Sequence, residues 1–133
     1  MIVVDASVLA TALVDDGQNG DLARSRLRHE QLAAPHLIDL ELASVWRGLV
    51  RGGRLSPGRA ELALADLREI PLERVAHTAL LNRAWELREN LTIYDAIYVA
   101  LAETLQCPLV TADRRLAKAN RTQCSIELLH IGS

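Results

Sequence analysis

Four carboxylates in this chain are set among residues that suggest chemistry. Asp5 follows the β-branched run Ile2-Val3-Val4 and precedes Ala6-Ser7-Val8, while Asp113 follows Pro108-Leu109-Val110-Thr111 after Ala112. Both sit where a short apolar strand hands over to a helix. Glu41 falls in the four-by-four series Leu37, Glu41, Val45, Leu49, and Asp95 closes Thr92-Ile93-Tyr94-Asp95 ahead of Ala96, Ile97 and Val99. Acids gathered into one pocket cannot all stay ionised without a cation, because like charges a few ångströms apart raise one another's pKa. A donor set of oxygen alone, without His or Cys, selects Mg²⁺ or Mn²⁺, ions that keep several waters and engage phosphates directly. Such a site can polarise a phosphoryl oxygen and supply hydroxide for in-line attack, with one metal or two. The chemistry implied is phosphodiester hydrolysis.

Each acid also has a purely structural explanation. Asp is a favoured N-cap at any strand-to-helix turn, which accounts equally for Asp5 and Asp113. Glu41 is equally explained by an ion pair with an arginine, since charged groups are rarely buried alone. Thr92-x-x-Asp95 resembles a capping box, although its apolar neighbours crowd a carboxylate that capping alone would leave exposed. Trp46 and Trp85 lie at helical spacing among apolar residues and read as core rather than as platforms for unpaired bases. His36 lies near Glu41 and has no role assigned.

The elements that must position these acids alternate in type. Ile2-Val3-Val4 reads as a buried strand feeding a helix that begins at Asp5, and further helices are expected over Asp21 to His29, His36 to Val50 and Arg59 to Glu69. Gly52-Gly53 ends the third of these, and Ser56-Pro57 supplies an N-cap with proline at the first helical position. Ala76 to Arg88 and Thr92 to Gln106 read as helices, Pro108 to Thr111 as a strand, Arg114 to Ala119 as a short helix and Ile126 to Ile131 as the last strand. Strands separated by helices require crossovers, so the expected fold is a three-layer α/β/α domain with a mainly parallel central sheet. In such sheets ligands bind beyond the carboxyl ends of the strands, where Asp5 and Asp113 are expected to meet.

With 133 residues, half of them hydrophobic, the chain has room for a single domain spanning 1–133. Cys107 and Cys124 form no CxxC pair and the histidines have no zinc spacing, which points to a reduced, cytoplasmic protein. The opening Met-Ile-Val-Val-Asp lacks the basic region of a secretory signal, and no apolar run approaches the ~18 residues of a membrane span. Seventeen acids against fifteen bases give a net charge of −2, so overall charge alone does not hold a nucleic acid. Help can come from local basic charge or from a metal. Arg24 and Arg28, followed by Arg47 and Arg51 on the Glu41 helix, are the candidates to steer a phosphate-bearing substrate.

Asp5 with Ser7, Glu41 on a helix introduced by Pro35, Tyr94-Asp95-Ala96 and Thr111-Ala112-Asp113 together resemble a PIN domain, and more narrowly the VapC toxin ribonucleases. The likeness spans nearly the whole chain. It implies a Mg²⁺-dependent endoribonuclease, with Mn²⁺ able to substitute, whose acidic quartet is Asp5, Glu41, Asp95 and Asp113. Ser7 and Thr111 match hydroxyl positions that help hold the metal site together. The likeness further implies an RNA substrate, a homodimer and a cognate antitoxin that masks the active site. Arg114 and Arg115 follow Asp113 where some wider PIN nucleases carry another acid. The alternatives fare less well. A dinucleotide fold needs Gly-x-Gly-x-x-Gly at the first turn, which Asp5-Ala6-Ser7-Val8 lacks, and a haloacid-type phosphatase needs an acid where Ser7 stands. A non-catalytic receiver-like or dimerising module with a regulatory Mg²⁺ site remains the rival reading. It has no need of Glu41.

Overall fold

The computed structural model describes residues 1–131. The central sheet is built from β1 (Ile2–Val4), β2 (Leu32–Pro35), β3 (Leu72–Val75), β4 (Leu109–Thr111) and β5 (Ile126–Leu128). Its strand order is β3-β2-β1-β4-β5 and every neighbouring pair is parallel. The three-layer arrangement expected from the sequence is therefore present, with five strands where the sequence pattern suggests three. β1 is entirely buried at the middle of the sheet, as a run of three branched apolar residues should be.

The helices are α1 (Ala6–Val14), α2 (Gln18–Leu27), α3 (Ile38–Arg51), α4 (Pro57–Glu69), α5 (Leu81–Glu86), α6 (Ile93–Leu105) and α7 (Arg114–Ala117). Right-handed crossovers place α1 to α4 on one face and α5 to α7 on the other. The packing agrees, since α1 meets α2, α3 and α4, whereas α5 packs on α6, which lies against β1, β2 and β4. From Ala96 to Ala102, α6 is buried without interruption. The small side chains of Ala96, Ala100 and Ala102 let it lie close to the strands. Bidentate ion pairs fasten the periphery: Arg26 to Glu127, Arg74 to Asp39 and Arg83 to Glu103. Gly20 is required where α2 turns back on α1, because a Cβ there would lie 1.8 Å from the Asp15 carbonyl oxygen.

Several sequence-based boundaries differ from the structure for physical reasons. β2 and β3 give no clear strand signal, one because Ala33, Ala34 and Pro35 are poor strand formers, the other because Glu73 and Arg74 interrupt its apolar pattern. Because β3 runs to Val75, the chain at Ala76 is still leaving the sheet. The helix expected from Ala76 is instead a 3₁₀ turn, Thr78–Leu80, followed by the short α5. Trp46 is core, at 1% exposure, but Trp85 is not. Leu80, Ala84 and Leu87 take the inner side of that segment, leaving Trp85 60% exposed with the Arg88 guanidinium 4.7 Å from its ring centre. Among the described residues no helix is long and apolar enough to cross a membrane.

Candidate active site

Asp5 follows β1 and caps α1, and parallel register fixes what stands beside it. Val4 pairs with Val110, so the next residues along, Asp5 and Thr111, are neighbours at the carboxyl edge. Asp5 Oδ1 accepts from Ser7 Oγ at 2.6 Å and from the Val8 amide at 3.3 Å, and Oδ2 accepts from Thr111 Oγ1. The two hydroxyls are themselves anchored to the next loop. The Ala112 amide donates to Ser7 Oγ at 2.9 Å and the Asp113 amide to Thr111 Oγ1 at 3.0 Å. The strand ends of β1 and β4 are thus stitched by side-chain bonds that hold Asp5 rigidly and set the direction of the loop to Asp113.

Asp113 caps α7, its Oδ1 accepting from the Arg115 amide at 2.9 Å and from the Leu116 amide at 3.4 Å. Asp95 occupies the first turn of α6, whose cap is Thr92, with Thr92 Oγ1 accepting from the Asp95 amide at 3.1 Å. The capping explanation is therefore correct for Asp5, Asp113 and Thr92, and it does not exclude a second use of the same carboxylates. For Glu41 the expected arginine partner is absent among the described residues. Glu41 lies at the rim of the buried face of α3, formed by Ile38, Leu42 and Trp46, with Val45 of its own stripe exposed. Its Oε1 accepts instead from the Tyr98 hydroxyl at 2.6 Å.

Electrostatics ties the four acids together. Burial raises the pKa of Asp5 against the bonds from Ser7, Thr111 and Val8, and the Asp95 charge raises it further. Burial likewise raises Glu41 against the Tyr98 bond, with Asp5 and Asp95 adding to the rise. For Asp95 burial leads, the Asp113 charge follows, and Thr92 and Arg115 oppose them. Each of the three is pushed toward its neutral form partly by another of the quartet, the condition that a cation relieves.

Among the described residues no three acidic, imidazole or thiol groups stand close enough to enclose a metal ion as they are. The donor chemistry nevertheless suits Mg²⁺, which is bound through one or two carboxylates and retains several waters, rather than an ion needing a closed protein cage. Asp5, held by Ser7 and Thr111, is the most firmly placed of the four; Asp95 and Glu41 are within electrostatic reach of it, and Asp113 within reach of Asp95.

The arginines sort differently from the expectation. Arg24 is already used, its Nη1 donating to the carbonyls of Ala12 at 3.0 Å and Asp15 at 2.7 Å while Nη2 pairs with Asp21, so it closes the end of α1 rather than waiting for a phosphate. Arg28 is exposed at the C-cap of α2 and leads into the amino end of β2, at the edge of the sheet away from the acids. Arg47 and Arg51 are exposed on α3 with no ion pair among the described residues. The cation beside the acids is Arg115, 3.9 Å from Asp113 and largely in solvent. Its adjacency to Asp113 is legible in the sequence; the role of Tyr98 is not.

A family model described as PIN domain matches residues 2–121. Ribonuclease VapC9 of Mycobacterium tuberculosis is 46% identical over 129 residues, covering 97% of this chain and 98% of that protein. The crystal structure of PAE2754 from Pyrobaculum aerophilum superposes with a TM-score of 0.68 at 29% identity, covering 96% of this chain and 83% of that one. A toxin-antitoxin complex from Klebsiella pneumoniae shares the fold with a TM-score of 0.67 at 18% identity, covering 99% and 100%.

Proposed function

This chain belongs to the PIN-domain family and, within it, to the VapC ribonucleases, and from that premise we propose that it is a divalent-metal-dependent endoribonuclease whose reaction centre is Asp5, Glu41, Asp95 and Asp113. The observation that carries this reading is the gathering of acids beside Asp5 at the carboxyl edge of a parallel sheet, where burial first and a neighbouring acid second raise the pKa of Asp5, Glu41 and Asp95. Mg²⁺ or Mn²⁺ bound there supplies neutralising charge, polarisation of a phosphoryl oxygen and an activated water.

The chain's own residues do the rest. Ser7 and Thr111 hold both oxygens of Asp5, so that its orientation does not depend on the ligand. Asp113 spends Oδ1 on its cap and keeps Oδ2 without a donor among the described residues. Asp95 stands in the first turn of α6, partly exposed, where it could meet a cation or the substrate backbone. Arg115 offers a phosphate contact beside the acids, and Arg47 and Arg51 extend a basic track along α3. Net charge is −2, so RNA attraction rests on these local groups and on the bound cation rather than on overall charge. The receiver-like alternative gives no task to Glu41, whereas here Glu41 is held by Tyr98 within electrostatic reach of Asp5 and Asp95.

We assign it the place of a cytoplasmic toxin that forms a homodimer and is masked by a cognate antitoxin. Supporting this are exposed apolar side chains suited to protein contacts: Leu40 on α3, Leu62 on α4 and Tyr94 beside Asp95. The test is cleavage of a fluorescent RNA oligonucleotide by wild type and Asp5→Asn, with Mg²⁺ and with EDTA. Metal-dependent cutting that Asp5→Asn abolishes is expected; equal cutting in EDTA would sink the reading.

A further inference from the structure

Tyr98 lies three residues after Asp95, one turn further along α6, and is 2% exposed. Residues at this spacing share a helix face, so the turn that presents Asp95 at the edge of the site also aims the Tyr98 ring beneath it. A buried phenol needs an acceptor for its O–H. Many carbonyls would serve, yet the acceptor here is a carboxylate on another helix, Glu41, 57 positions earlier in the chain.

Glutamate is among the side chains with most rotamer freedom to lose, and Glu41 stands at the rim of α3 rather than in its packed face. Among the described residues no other donor reaches it. We propose that Tyr98 is a positioning residue of the reaction centre: its hydroxyl pins Glu41 Oε1 and thereby leaves Oε2 as the oxygen that would be offered to a bound cation. Because Asp95 and Tyr98 ride on the same helical turn, the placement of Glu41 is set relative to Asp95 and not to α3 alone. A phenol, with an ordinary pKa of about 10, keeps its proton at neutral pH and so stays a donor.

The inference rests on the reaction-centre reading above, and its test separates the two. Tyr98→Phe keeps the ring that fills the core and removes only the donor, so the variant should melt close to wild type in EDTA. Its kcat on RNA should fall about 10–100-fold, the usual loss for a group that orients a ligand, with KM little changed. The same substitution in a Glu41→Ala background should cost almost nothing more, because its effect runs through Glu41. The Mn²⁺-induced shift in melting temperature should shrink in Tyr98→Phe, and its crystal structure should show the Glu41 carboxylate displaced. Full additivity of the two substitutions, or an unmoved Glu41 carboxylate with an undiminished Mn²⁺ shift, overturns the proposal. If wild type cuts no RNA, the functional reading fails, and the crystal structure and the Mn²⁺ shift still decide whether Tyr98 positions Glu41.

Discussion

Thr111 donates its hydroxyl proton to Asp5 Oδ2 across the β1–β4 boundary, joining two residues 106 positions apart at the point where the acids gather. The same hydroxyl oxygen accepts from the Asp113 amide, so one side chain orients one acid and the loop leading to another. Thr111 is fully buried. Thr111→Val keeps the shape and strips the donor, leaving a buried carboxylate oxygen unsatisfied at about 1–3 kcal/mol. Cleavage should drop about 10–100-fold, with Thr111→Ser close to wild type. Denaturant unfolding and a cleavage assay check both; full activity in Thr111→Val would remove Thr111 from the site.

Asp5, Glu41 and Asp95 have pKa values above the ordinary range when folded. Between the unfolded and folded values the folded protein binds more protons, so stability from these groups falls as pH rises through that window. Asp95→Asn removes one of the charges while leaving the Thr92 cap in place. In EDTA it should melt with wild type near pH 4, about where free carboxylates titrate, and increasingly above it toward neutrality. A melting-temperature series against pH in EDTA tests the sign, and a gap that narrows with rising pH contradicts the shared pocket.

Excess Mg²⁺ or Mn²⁺ should reverse that order. An ion that binds only the folded state stabilises by about 2.7 kcal/mol at one hundred times its Kd. Wild type should gain this and Asp95→Asn much less, read by thermal melts with and without metal. In the same samples, RNA fragments should carry 5′-phosphates, since attack by water leaves the 2′-hydroxyl intact. Cyclic 2′,3′-phosphate ends, detected by mass spectrometry, would refute it.

The arginines predict a division of labour. Arg24→Ala unties the end of α1 and should lower stability while leaving RNA affinity unchanged in the folded protein. Arg47→Ala with Arg51→Ala should leave stability nearly unchanged and flatten the salt dependence of RNA binding by about 0.7 for each phosphate no longer neutralised. Arg115→Ala should weaken binding beside the acids. Fluorescence anisotropy at several salt concentrations, paired with melts of each variant, distinguishes these outcomes.

What is legible in the sequence is local. Asp5 after Val4 and Asp113 after Thr111 follow from short apolar strands meeting caps, and Thr92 at the start of α6 follows from cap chemistry, so these positions are readable without neighbours. Features created by distant approach are not. The Tyr98 hydroxyl looks like one more core aromatic until α3 and α6 are brought together, and Arg24 looks free until the carbonyls of Ala12 and Asp15 close on it. Trp85 reads as core and is not, because the segment around the short α5 buries Leu80, Ala84 and Leu87, a choice of side that periodicity over so few residues does not determine. β2 and β3 are hidden by weak strand formers whose pairing comes from the sheet around them.

The strand order has a consequence for synthesis. β1 is made first, yet its neighbour β4 is made almost last, and the hydroxyl that holds Asp5 Oδ2 arrives only with Thr111. A chain still lacking that segment holds Asp5, Glu41 and even Asp95 without the strand that assembles them. On the reaction-centre reading, the acids are therefore not held together until β4 has been made and has paired with β1.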